Sequence, residues 1–175
     1  STVLRFGTLE LVRGDWRTYT QDLSNPLIPP KSDGQIVVSS VNIEENGQRQ
    51  PVNYVLPPGI SRMFDSSQPQ LLQQNEQALS MKITDLSPAD ARAVYKSTAY
   101  DLRRYKRLQM FAHAEAPIDE SKTLSNGDFS VFIRLGSDYK NNYYEYEVPL
   151  DLTPHSTILY NTNNSADQEK VWPLN

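Results

Sequence analysis

The chain has 175 residues, enough for one domain with a sizeable core, and its 21 acidic against 17 basic residues leave a net charge of -4. That balance gives no bulk attraction to nucleic acid or to an anionic membrane. Cysteine is absent, which removes disulfides, thiolate catalysis and cysteine metal sites, and no run approaches the roughly 18 apolar residues of a membrane-crossing helix. Both ends read as cuts through a longer protein.

Residues 3 to 13 alternate imperfectly and predict a strand, with Leu4 and Phe6 on one face, Leu9 and Leu11 on the other, and a bulge at Gly7. Residues 15 to 20 continue the sheet with Trp16 and Tyr19 as apolar anchors. Asn25-Pro26, Pro29-Pro30 and Asp33-Gly34 make 21 to 35 a loop. Strands over 36 to 43 and 52 to 56, with a turn at Glu45-Asn46-Gly47 between them, read as a hairpin. The polar run 61 to 77 is a loop anchored by Met63, Phe64, Leu71 and Leu72, and 78 to 85 is a strand. Ser87-Pro88-Ala89-Asp90 carries the signature of a helix start and predicts one short helix over 88 to 96.

The densest strand signal lies between residues 101 and 152. Leu108, Met110, Ala112 and Ala114 alternate with Gln109, Phe111, His113 and Glu115; Phe129, Val131, Ile133 and Leu135 alternate with their neighbours; Tyr144, Tyr146, Val148, Leu150 and Leu152 share a face. Asn126-Gly127-Asp128 is a turn signal, and the Asn- and Ser-rich run 161 to 169 reads as a loop. The expected fold is all-β and mainly antiparallel: one β-sandwich domain over 1 to 175, jelly-roll-like or galactose-binding-like, with one short helix.

No catalytic residues stand out. His113 and His155 lack zinc-motif spacing, no serine elbow is present, and Glu145 with Glu147, or Asp85 with Asp90, are ordinary acidic pairs. The oxygen-rich loops 136 to 142 and 161 to 167 suit either a structural Ca²⁺ or plain Asx turns, the latter being favoured; no metal ligand and no other cofactor is assigned. Tyr144 and Tyr146 are expected in the core, leaving Tyr139 and Tyr143 as exposed aromatics that could stack on a glycan or a partner chain. Arg103, Arg104, Lys106 and Arg107, with Arg92 and Lys96, form a basic cluster that could bind an acidic partner or simply pair with nearby carboxylates. The candidate binding residues are therefore Tyr139, Tyr143, Arg103, Arg104 and Arg107.

The strings DLRRYKRLQMFAHAE (101 to 115) and NGDFSVFIRLGSDYKNNYYEYEVPL (126 to 150) resemble the SprA/Sov family of Bacteroidetes, the giant outer-membrane translocon of the type IX secretion system, which is also tied to gliding motility. ISRMFD (60 to 65), residues 70 to 96 and VWPLN (171 to 175) agree with that resemblance, and the first sixty residues add less. The resemblance implies a soluble insertion excised from a very large β-barrel protein, on the extracellular side in the cap region or else in the periplasm. It implies the remainder of the barrel, secretion cargo and accessory proteins as partners, with no nucleic acid, and carries over no catalytic residue. A carbohydrate-binding sandwich of a secreted or surface protein is the other reading.

Overall fold

In a computed structural model of the chain, the described residues are 16–24, 27, 29–62, 64, 73, 76–98, 101–118 and 123–173. The strand expected over 3 to 13 and the anchors Met63, Leu71 and Leu72 lie outside them. Among the described residues there are six strands and two α-helices: β1 (Arg17–Tyr19), β2 (Gln35–Asn42), α1 (Ile43–Asn46), β3 (Gln77–Thr84), β4 (Ala93–Tyr95), β5 (Ser130–Gly136), β6 (Tyr143–Pro149) and α2 (Ser165–Val171). The strands pair as β1-β4, β2-β3 and β5-β6. The β1-β4 and β5-β6 ladders are antiparallel. The fold is thus all-β with short helices, as the alternation predicts, although each sheet has two strands where a jelly roll would carry larger ones.

The chain divides into two compact units, one of Ser1–Val37 and Lys82–Arg104, the other of Val38–Met81 and Tyr105–Asn175. In the first unit, Tyr19 and Tyr95 meet edge to face at 6.4 Å. Trp16 is 47% exposed, so it does not act as the anchor the sequence suggests. The expected helix over 88 to 96 is absent. Ala89 takes φ of 61°, in the left-handed region, and residues 93 to 95 form β4. The Asp90 amide donates to the Ser87 carbonyl in a single turn, while the Asp90 carboxylate, which would face solvent on a helix, accepts from the Ser32 hydroxyl and from Arg92.

Arg92 is the centre of this unit. Its Nε donates to the Gly34 carbonyl (2.9 Å), Nη1 to Asp90 (2.9 Å) and the Ala91 carbonyl (2.8 Å), and Nη2 to the Ser32 carbonyl (2.7 Å) and hydroxyl (3.1 Å). All five guanidinium donors are used, which is what a charge needs when its side chain is only 4% exposed. Arg92 therefore contributes nothing to a surface basic patch.

The second unit holds the apolar core: Val52, Tyr54, Val55, Val171 and Trp172, with Val41, Ile43, Leu56, Ala78, Phe111 and Tyr160 packed against it. Residues 52 to 56 were expected to pair with β2, but β2 pairs with β3. Asn42 caps α1 by accepting from the Glu45 amide, which turns the chain away after β2. The 52 to 56 segment then finds its backbone partners far along the chain. Asn53 bridges the Tyr160 backbone with both ends of its amide (2.9 and 2.8 Å), the Leu56 amide donates to Thr162 Oγ1, and Gln168 Nε2 donates to the Leu56 carbonyl. Buried backbone groups need such partners, and here side chains supply them in place of a ladder.

The run expected as a loop over 161 to 169 instead contains α2, capped by Asn164, which accepts from the Ala166 and Asp167 amides. The strand expected over 108 to 115 forms no ladder; one parallel bridge joins Ala114 to Leu152. Burial along it does not alternate: residues 108 to 110 are exposed, Leu108 and Met110 at 60% and 54%, residues 111 to 115 are half-buried, and Phe111 and His113 meet the Trp172 ring at 6.1 and 5.7 Å.

Candidate functional site

The β5-β6 hairpin brings most of the candidate side chains together. Its register pairs Val131 with Val148, Ile133 with Tyr146 and Leu135 with Tyr144 on one face, and Ser130 with Pro149, Phe132 with Glu147, Arg134 with Glu145 and Gly136 with Tyr143 on the other. The second face is polar and internally paired. Ser130 donates to Glu147 and Arg134 to Glu145, while the Arg134 guanidinium lies 4.4 Å from the Tyr143 ring centroid and 5.3 Å from that of Phe132.

The apolar face reverses the expected exposure. Tyr144 is 87% and Tyr146 70% exposed, whereas Tyr139 and Tyr143 are half-buried. Alternation correctly puts Tyr144 and Tyr146 beside Val148, but that face of the two-stranded hairpin is left open at its turn end. Tyr143 is held beneath Arg134. Against Tyr144 and Tyr146 stands Leu108, enclosing a cleft of about 250 Å³ with Ile133, Leu135 and Glu145.

Arg103 and Arg104 lie on a 3-10 turn, Leu102–Arg104, and Arg103 is tied to Asp101 by Nε at 2.8 Å and Nη2 at 3.1 Å. That bond pulls the Asp101 carboxyl below its ordinary range. Arg104, Lys106 and Arg107 are exposed.

The hairpin turn is set by Asp138. Its carboxylate accepts from the amides of Lys140 (2.8 Å), Asn141 (2.7 Å) and Asn142 (3.3 Å) and from the Asn142 side chain (2.6 Å). The Asn141 amide foremost, then the other donors, holds it far below the usual carboxylate range. In the second oxygen-rich loop the Asp167 carboxylate accepts from the Asn161 amide at 3.0 Å, the main reason its affinity for a proton is lowered. Both loops carry the Asx-type bonding expected of their sequence. Among the described residues no three His, Asp or Glu converge as a metal set.

Sequence reasoning missed a polar cluster in the second unit. His113 Nδ1 lies 3.0 Å from the Val171 carbonyl and 3.1 Å from Thr153 Oγ1, and Nε2 lies 3.4 Å from Glu115, whose two carboxylate oxygens accept from Arg49 Nη1 and Nη2. Burial opposes ionisation of Glu115, but bonds from His113 and Arg49 outweigh it and lower its pKa. Thr153 is 4% exposed and also contacts the Lys170 carbonyl, so its hydroxyl is enclosed by the fold. The cluster ties 113 to 115 to 153 and to the end of α2, and its only sequence signal is the i, i+2 spacing of His113 and Glu115.

The whole chain, residues 1–175, matches the SprA_N family model, described as motility related/secretion protein. The chain belongs to the SprA_N family. A search of curated proteins finds no match. No helix among the described residues of this SprA_N chain is long and apolar enough to cross a membrane.

Proposed function

We propose that this chain is a non-catalytic structural and interaction domain of a type IX protein-secretion translocon of the SprA/Sov kind. The observation that carries this reading is the SprA_N match along all of residues 1–175. In this reading the domain is a soluble part of a much larger outer-membrane protein of Bacteroidetes, facing the cell exterior at the channel cap, with a periplasmic position as the other placement. Its partners are the remaining barrel, secretion cargo and accessory proteins, and it serves gliding motility through the same export route. The exposed hairpin face supports an interaction role, because solvent-facing aromatics in a cluster are the usual anchors of protein interfaces.

The test is an in-frame deletion of these residues in the parent gene. Secretion and gliding should fail while the barrel still reaches the outer membrane. Full secretion and gliding in a strain whose shortened protein is present would overturn the reading. Protease access to the domain on intact cells distinguishes the exterior from the periplasm.

The exposure of Tyr144 and Tyr146 also favours a second reading, a carbohydrate-binding module that stacks these rings on sugars. A glycan array decides it: saturable binding lost on Tyr144→Ala, but retained in Tyr139→Ala, would favour sugar recognition by this face.

A further inference from the structure

We infer that residues 105 to 110 are a processing site for an endopeptidase specific for Arg and Lys. The bond cut joins Arg107 to Leu108, and the cut nicks the second unit without releasing either piece.

The first observation is the state of this segment. Residues 101 to 110 are all exposed. Residues 105 to 110 make no hydrogen bond and no ion pair among the described residues. A folded chain carries about one internal hydrogen bond per residue, so such a run is unusual. An endopeptidase holds its substrate like an added strand, through backbone groups on both sides of the bond it cuts. In this segment those groups are free, and no bond has to open before the enzyme binds.

The second is side-chain chemistry. Arg107 lies mid-run, with Tyr105 and Lys106 before it and Leu108, Gln109 and Met110 after it. Its unpaired guanidinium suits a specificity pocket with a carboxylate at its base. Other cations are held. Arg49, Arg62, Arg92, Arg103, Arg134 and Lys170 carry ion pairs. Arg17 and Lys82 lie in β1 and β3. Lys31 adjoins Ser32, whose amide and hydroxyl both donate to Asp90. In the reaction the Arg107 carbonyl carbon parts from the Leu108 nitrogen. The oxygen of water joins that carbon and both its protons end on the nitrogen, leaving a carboxylate and an ammonium.

The third is what spans the cut. The first unit, Ser1–Val37 with Lys82–Arg104, lies wholly before it. The core of the second unit joins Val52, Tyr54 and Val55 from one side to Val171 and Trp172 from the other. Asn53 with the Tyr160 backbone, Gln168 with the Leu56 carbonyl and Arg49 with Glu115 add polar bonds across it.

The test is brief digestion of the 175-residue chain with trypsin, the cut sites being read by mass spectrometry. Among the described residues the first cut is expected between Arg107 and Leu108. Lys106→Gln with Arg107→Gln should slow trypsin in this segment roughly tenfold or more. Subtilisin, which needs no cation, should open the same residues in the parent and the variant alike. The pieces should elute together in size exclusion and part only in urea. A first cut by either enzyme at another described residue, or no cut at all, overturns the proposal. Pieces that part without denaturant overturn it too. The translocon reading is judged separately, by secretion in the deletion strain.

Discussion

The indole N–H of Trp172 donates to the Val55 carbonyl at 2.9 Å, joining residues 117 apart in the chain. Tyr54 meets the same ring edge to face at 6.3 Å and Phe111 at 6.1 Å, so Trp172 is where the dispersed core segments converge. Trp172→Phe keeps an aromatic ring but leaves a buried carbonyl without its donor, at a cost of about 1–3 kcal/mol. Trp172→Ala should cost roughly 3–5 kcal/mol. Urea unfolding midpoints of the two variants test this; a Phe variant as stable as the parent would show that the hydrogen bond contributes nothing.

In the first unit, breaking the Asp90-Arg92 pair is the severe change. Arg92→Ala leaves a carboxylate with almost no solvent access, and a loss of about 3–5 kcal/mol is expected. The pair also predicts acid sensitivity. The Ser32 hydroxyl foremost, then Arg92 and the Ala91 amide, bring the Asp90 pKa down to about 2 against the opposing effect of burial. An unfolded Asp titrates near ~3.9, so this stabilisation is complete above that pH and is lost as pH falls through the folded value. Asp90→Asn should be less stable than the parent at neutral pH, and the gap should narrow as pH falls from about 4 to 2. A constant gap across that range would refute the assignment.

Gly136 closes the hairpin where no side chain fits. A Cβ there would sit 2.0 Å from the Asn142 carbonyl oxygen and 2.5 Å from the Tyr143 Cα, both backbone atoms. Gly136→Ala should cost roughly 1–3 kcal/mol or more and speed amide exchange in β5 and β6. Unchanged exchange at Leu135 and Tyr144 would show that the turn tolerates the substitution.

The exposed tyrosines should behave in the opposite way. Tyr144→Ser and Tyr146→Ser are expected to change stability by no more than about 0.5 kcal/mol. Thermal melts are the measure, and a large loss in either would mean that the face is covered within the chain itself.

The alternation of β5 and β6 and the loop from 21 to 35 were legible because side-chain period and turn residues are local properties. Which face is buried is not local. Tyr144 and Tyr146 sit with Val148 as expected, yet only the packing partner decides whether that face is core or surface. The Ser87-Pro88 helix start failed for a related reason: Asp90 gains more from Ser32 and Arg92, both outside its own turn, than from helical geometry. The Asn164 cap of α2 carried a usable signal, Asn followed by Ser-Ala-Asp, but the Asn-rich composition around it read as loop. Of the candidate site, the tyrosine-rich hairpin was visible, while the burial of Arg92 and the His113-Glu115-Arg49 cluster depend on contacts that no sequence window contains.

The last structural residues of α2 and Trp172 close a core whose other half, residues 52 to 55, precedes them by more than a hundred positions. A chain emerging amino end first therefore carries Val52, Tyr54 and Val55 uncovered until Trp172 follows. Closure of this core thus waits on contacts between segments more than a hundred residues apart, and folding of the second unit is expected to be slower than that of a unit built from local contacts.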